Sequence, residues 1–314
     1  MANLRTIKDR ITSITNTQKI TRAMKMVAAA KVKKAENATK ASRPFASELY
    51  KIFSRVIEDL GTENFESVNV ERALEDYPEL LKRREIKTIG LLVITSNKGL
   101  AGAYSTNVVR YTIKRIKEAL ANGQKIKLFL VGQKSIAPLR NAQRLLDYEI
   151  KNTYTSILDG LDANSAIAVA EDLAEAYVEE EVDSIELITT RYQNMMTYRV
   201  EDWPLLPALG EQGGVQKFRE EDKSGQYAHC ITEFEPDVSA IMQKLVPMYI
   251  TNIIYQALLE ATASELASRM TAMSAAVNNA SEMIRVLTID YNKARQAKIT
   301  QELNEVISGA DALK

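Results

Sequence analysis

The sequence predicts an α/β fold: a long antiparallel coiled coil of the N- and C-terminal helices plus a Rossmann-like parallel-sheet domain. Three observations predict it. Apolar residues near both ends recur every three or four positions, strongly apolar runs alternate with amphipathic segments in the middle, and glycine is scarce, at 12 in 314 residues. That is half the usual glycine frequency of ~7%. With 46% hydrophobic but only 6% aromatic residues, the composition suits long helices with small side chains and excludes an all-β protein.

The 41 Lys and Arg balance 41 Asp and Glu, so net charge gives no reason to expect nucleic acid. The balance is uneven along the chain. Residues 1–57 carry 13 basic residues against Asp9, Glu36 and Glu48, and residues 238–314 carry seven of each sign, leaving 21 basic and 31 acidic residues in 58–237. A basic N-terminal arm, an acidic centre and a neutral C-terminal arm mark three regions with different surroundings. They set the expected division: 1–57 an N-terminal coiled-coil helix, 58–237 an α/β domain, 238–314 a C-terminal coiled-coil helix. Cys230 is the single cysteine and closes no intrachain disulfide. Nothing near the start reads as a secretory signal, and no apolar run reaches the ~18 residues needed to span a bilayer.

In the N-terminal arm Leu4, Ile7, Ile11 and Ile14 step 3, 4, 3, as an apolar helical seam requires. The seam shifts phase, resumes at Ile20, Met24 and Val27, and returns at Phe45, Leu49, Ile52 and Val56. Pro44 lacks an N–H to donate, so a bend or break is expected there. The C-terminal arm is cleaner. Leu266, Met270, Met273, Val277, Ala280, Ile284, Leu287, Tyr291 and Ala294 step 4, 3, 4, 3 without a miss. A helix from about 238 to 308 would run roughly 105 Å at ~1.5 Å per residue, with a kink expected at Pro247. One apolar stripe must be buried against something, and the other terminal helix is the nearest partner. Ala280, Ala294, Met270 and Met273 are small or flexible, so close packing is expected. The N-terminal helix is the shorter one, which leaves the last turns of its partner projecting unless an outside surface receives them.

The middle alternates strand and helix. The run 89–94, Ile-Gly-Leu-Leu-Val-Ile, reads as a strand buried on both faces. A helix follows with Val109, Ile113, Ile116 and Leu120 on one face, ended by Asn122-Gly123, and a second strand covers 126–131. Another helix spans 164–179, with Ile167, Ala170, Leu173 and Tyr177 aligned, and a third strand starts near Ser184. This order means βαβ units and a parallel sheet. Residues 58–85 read as an acidic connector. Residues 201–226 hold two of the seven prolines and four of the twelve glycines, and so read as a surface loop.

No catalytic constellation emerges. Gly99-Leu100-Ala101-Gly102-Ala103 sits between strand and helix, where phosphate-binding turns occur, but lacks both GxGxxG and the Lys-Ser/Thr of a Walker loop. It reads as a tight structural turn. The lone histidine, His229, adjoins the lone cysteine, Cys230, so no multi-ligand metal cluster of those types exists and no metal or cofactor is expected. No GxSxG nucleophile supports a hydrolytic triad around His229. The basic N-terminal helix, with Lys19, Arg22, Lys25, Lys31, Lys33 and Lys34, has three readings: solvated charge, contact with phosphates on nucleic acid or lipid, and contact with an acidic protein surface. One sign so dominates its polar positions that a protein partner explains it better than water does. A free-standing coiled coil binding DNA or anionic membrane stays the competing class.

Residues 17–29, Thr-Gln-Lys-Ile-Thr-Arg-Ala-Met-Lys-Met-Val-Ala-Ala, resemble the N-terminal signature of the gamma subunit of rotary (F-type) ATP synthases, and Ala-Ser-Arg-Pro-Phe at 41–45 continues the match. Residues 264–273, Ser-Glu-Leu-Ala-Ser-Arg-Met-Thr-Ala-Met, and 291–303, Tyr-Asn-Lys-Ala-Arg-Gln-Ala-Lys-Ile-Thr-Gln-Glu-Leu, are similar to the family's C-terminal signature. Both arms match closely and the middle more loosely. The family usually has Gly-Leu-Cys-Gly-Gly where this chain has the 99–103 turn, and a turn that tolerates alanine at two places has less need of close backbone approach to a ligand.

The resemblance implies a non-catalytic subunit, one copy per complex, without a cofactor. Its paired terminal helices form a shaft inside a ring of alpha and beta subunits. Its α/β domain forms a foot that sits, with the epsilon subunit, on the membrane c ring. It also implies a peripheral location on the cytoplasmic face of a bacterial plasma membrane or an equivalent face. By position, Arg295 and Gln296 resemble the pair that hydrogen-bonds a beta-subunit loop, Thr300 and Glu302 resemble supporting polar contacts, and Lys19, Arg22, Met24, Lys25 and Arg269 fall on the surface turned to the alpha and beta ring.

Overall fold

A computed structural model describes residues 4–62, 79–82, 84–208 and 238–311. The chain forms two compact units, one of residues 1–30 with 269–314 and the other of residues 31–268. Both boundaries fall inside long helices: α1 is Leu4–Thr62 and α5 is Val238–Asp311. Each runs as helix through its proline, Pro44 in α1 and Pro247 in α5, so of the bend or break expected at Pro44 there is no break. Around Pro44 the neighbours hold the helix in place: Ser42 donates to Gln256 at 2.5 Å and Arg43 pairs with Glu260 at 3.2 Å.

In the helical unit α1 and α5 pair antiparallel. Gln18 Nε2 donates to Ser281 Oγ at 2.6 Å, and Lys25 Nζ to Ser274 Oγ at 3.0 Å. Seven residues forward on α1 match seven back on α5. The positions of α1 withdrawn from solvent include Leu4, Ile7, Ile11, Ile14, Gln18, Thr21, Lys25 and Ala28, an unbroken 3, 4 alternation. The seam therefore continues through polar residues rather than shifting to the apolar positions expected. Ile20 and Val27 are 63% and 57% exposed, and further along α1 Phe45 and Ile52 are also exposed. Lys25 can occupy a seam because its aliphatic stem packs while its ammonium reaches a hydroxyl. On α5, the residues between 278 and 308 that are not exposed are Ala280, Ile284, Leu287, Tyr291 and Ala294.

The other unit is built on a five-stranded sheet of order β3-β2-β1-β4-β5. The strands are β1 Thr88–Ile94, β2 Lys125–Val131, β3 Glu149–Tyr154, β4 Ser184–Tyr192 and β5 Tyr198–Leu206. The first four are parallel, and β5 returns antiparallel to β4. Helices α2 (Tyr104–Ala121), α3 (Gln133–Ala142) and α4 (Ala163–Val178) make the crossovers. Along β1, Ile89, Leu91 and Val93 pack with Val108 and Ile116 of α2. Leu92 and Ile94 face the opposite layer of α4, Leu49 and Phe53 of α1, and residues 242–261 of α5. Alternation on a strand buried on both faces produces this three-layer core.

Three elements differ from expectation. Strand β3 and helix α3 were not read from the sequence, and residues 201–206, expected to open a loop, complete β5. Edge position explains the strands. β3 exposes or half-exposes every residue, and β5 carries Pro204 and half-exposed charges, so neither has the apolar run of a central strand. Residues 209–226 of the expected loop lie outside the described residues, as do His229 and Cys230.

Candidate functional site

The glycine-containing turn after β1 is held by the protein's own groups. Leu100 and Gly102 adopt positive φ, 66° and 57°, which reverses the chain into α2. Ala101 is 5% exposed. Its carbonyl accepts from Ser268 Oγ at 2.7 Å and from the Tyr104 amide at 3.2 Å. A cleft of about 350 Å³ beside it is lined by Lys98, Leu100, Ser105, Lys134 and Pro138 among others. No described helix is long and apolar enough to cross a membrane, and the described residues hold no group of three or more His, Cys, Asp or Glu placed to bind a metal ion.

Open parallel sheets bind ligands beyond the strand ends where the strand order reverses. Here the chain turns from β1 to β2 on one side and later reaches β4 on the other, so that place lies between β1 and β4. It is filled from within. Tyr104 is fully buried; its hydroxyl donates to the Ala261 carbonyl at 3.2 Å and lies 3.3 Å from Thr190 Oγ1. Thr189 Oγ1 donates to the Ala257 carbonyl at 3.2 Å. Glu260, 3% exposed, accepts from the Tyr192 amide at 2.8 Å and from Gln256 and Arg43 at 3.2 Å each. Burial holds the Tyr104 phenol far above its ordinary range, so it remains a neutral donor. The crevice where a nucleotide would sit is occupied by α5.

The helical unit presents the opposite situation, with large apolar side chains exposed outside its seam. Lys19 and Arg22 are exposed, while Met24, Lys25 and Arg269 are half-buried. Every side chain from Arg295 to Ser308 is exposed, including Arg295, Gln296, Thr300 and Glu302. Thr300 Oγ1 donates to the Gln296 carbonyl at 3.0 Å, and Lys298 lies 3.5 Å from Glu302. Among these polar groups Ile299, Leu303, Val306 and Ile307 are each about half exposed or more, as are Ile20, Met26 and Val27 on α1. Large apolar side chains repeated along exposed helices mark a surface that meets another macromolecule.

A protein-family model described as ATP synthase matches residues 3–313. The chain is 39% identical over 329 residues to the ATP synthase gamma chain of a Synechococcus species and 41% identical over 331 residues to that of a Nostoc species, in each case covering all of both proteins. The chain belongs to the ATP synthase gamma-chain family. Among solved structures it is similar to a chain from the central stalk and c-ring structure of the Tetrahymena thermophila mitochondrial ATP synthase. That match has 25% identity and a TM-score of 0.53 and covers 82% of this chain and 99% of the other. A chain of the Euglena gracilis mitochondrial ATP synthase shares the fold at 18% identity with a TM-score of 0.66, covering 99% and 94%.

The polar residues at the end of α5 were named from the sequence and are exposed in the structure, whereas the buried group around Glu260 was not. Its members, Ser42, Arg43, Tyr192, Gln256 and Glu260, lie up to 218 residues apart in sequence (42 to 260). Only the glutamate's place within an apolar helix face signals that it needs partners.

Proposed function

We propose that this chain is the central rotor shaft of an F-type ATP synthase, coupling ion-driven rotation of the membrane c ring to sequential conformational change in the beta subunits. The observation that carries it is the bare end of α5, where residues 295–308 expose isoleucine, leucine and valine together with Arg295 and Gln296. In this reading the alpha and beta subunits surround the helical unit, and the sheet unit meets epsilon and the c ring. One copy serves each complex, peripheral on the cytoplasmic face of a bacterial plasma membrane or its equivalent. The chain itself binds no nucleotide. It acts because each shaft orientation stabilises a different set of beta conformations through differential contacts.

Arg295 offers a planar fork that can hold a carboxylate or carbonyl at two points. The half-buried Lys25 already spends its ammonium on Ser274, and turning it to a solvent-accessible ion pair would gain only ~0–1 kcal/mol. Arg295→Ala is therefore expected to lower ATPase or assembly roughly tenfold or more, in line with the ~2 kcal/mol scale of interface anchors, and Lys25→Ala much less. Equal effects would count against the assignment. The test of the whole reading is native mass spectrometry of the chain co-expressed with alpha, beta and epsilon subunits, followed by an ATPase assay. One copy with three alpha and three beta subunits, active only when α5 is intact, is the expected result. Failure to join such a complex would sink it.

A further inference from the structure

We propose that the Arg43–Glu260–Tyr192 group, centred on the buried Glu260 carboxylate, is a rotational lock that fixes α1 and α5 to the sheet, so that torque on the sheet unit is carried into the helices instead of being lost as slip. The proposal rests on the shaft reading above. All its atoms lie within the unit of residues 31–268.

A load applied to the sheet can reach α1 and α5 only through the contacts those helices make with it. Most of that contact is apolar, from Leu49 and Phe53 on α1 and Met242, Ile250, Ile254 and Leu258 on α5. Apolar burial is strong but non-directional, so it resists small rotations and slides of a helix less sharply than a directional bond does. Charge-assisted hydrogen bonds are directional and break on small displacement. Glu260 joins three elements at one carboxylate. Oε2 takes the backbone amide of Tyr192 at the end of β4, at 2.8 Å, and Oε1 takes Arg43 of α1 at 3.2 Å. Gln256, one turn earlier on α5, donates to the same Oε1 and accepts from Ser42, the residue preceding Arg43. Two further bonds, Thr189 to the Ala257 carbonyl and Tyr104 to the Ala261 carbonyl, pin the same two turns of α5. Arg43 is 41% exposed at its side chain while Glu260 is 4%. The glutamate is thus the fixed centre, and the arginine is the reach of α1 into it.

The experiment places the full chain in the assembled synthase in sealed membrane vesicles and reads ATP hydrolysis and ATP-driven ion uptake together. Arg43→Met cuts the charged tie to α1 while leaving Ser42 on Gln256 and Glu260 on β4, and Glu260→Leu removes the carboxylate that joins all three elements. Hydrolysis is expected to stay within twofold of the parent while ion uptake per ATP falls at least threefold, and Arg43→Lys is expected to recover most of it. An unchanged uptake-to-hydrolysis ratio in assembled Arg43→Met would overturn the lock, even if thermal stability falls. So would a parallel fall in both activities, which marks a merely structural role. If Glu260→Leu fails to assemble, Arg43→Met alone decides. Should the unaltered chain fail to support hydrolysis in the complex, the shaft reading itself fails and the lock with it.

Discussion

Gly132, at the end of β2, shows how one residue type is imposed by its surroundings. Its φ is 94°, and a Cβ there would lie 2.8 Å from Thr95 Oγ1 and 2.9 Å from the Thr95 backbone. Backbone cannot move aside as a flexible side chain can, so Gly132→Ala combines left-handed strain with a clash. The expected loss is about 2–3 kcal/mol or more, read from urea unfolding. Gly123 also has positive φ, 76°, but nothing within 4 Å, and Gly123→Ala should cost only about 1 kcal/mol. Comparable losses at both would refute the clash. Asp162 supplies a pH signature at the same scale. It caps α4 by accepting from the Ser165 hydroxyl and amide, and these bonds, the hydroxyl foremost, lower its pKa. A lowered carboxylate stabilises fully above its unfolded value, near pH 4, and that contribution is lost as pH falls through the folded value. Asp162→Asn keeps a cap without the titrating proton. The variant should therefore show a shallower decline in melting temperature below pH 4 than the parent, and identical slopes would contradict this account.

At the scale of elements, legibility followed burial. Strands β1 and β2 and the helices between central strands announce themselves because both faces of the sheet are covered. β3 and β5 do not, since an edge strand keeps one side polar and β5 tolerates Pro204. The α1 seam was legible for its first four residues and then lost, because Gln18, Thr21 and Lys25 occupy its positions while Ile20 and Val27 face outward. The two phases predict opposite results. Val277, 9% exposed on α5, should lose about 1–2 kcal/mol when cut to Ala, whereas Ile20→Ala should change the free chain by no more than ~0.5 kcal/mol. Thermal unfolding of the two variants decides it, and a large effect at Ile20 would restore the apolar phase.

For the whole molecule, the sequence shows no catalytic constellation, yet the sheet order β3-β2-β1-β4 in the structure is one that binds nucleotides in other proteins. Side-chain placement that no pattern reveals argues against that use here: Tyr104, Thr189 and Glu260 bring α5 over the ends of β1 and β4. Chemistry on this chain would have to displace its own helix, and the buried groups so exposed would be left without partners. The isolated chain is thus expected to bind no ATP at millimolar concentration in equilibrium dialysis. Tyr104→Phe removes only the hydroxyl bonded to Ala261 and should leave that result unchanged while lowering stability by about 1 kcal/mol. ATP retained by the parent chain and lost in Tyr104→Phe would place a nucleotide in the crevice, and the sheet unit would then be a ligand-binding device rather than a mechanical one.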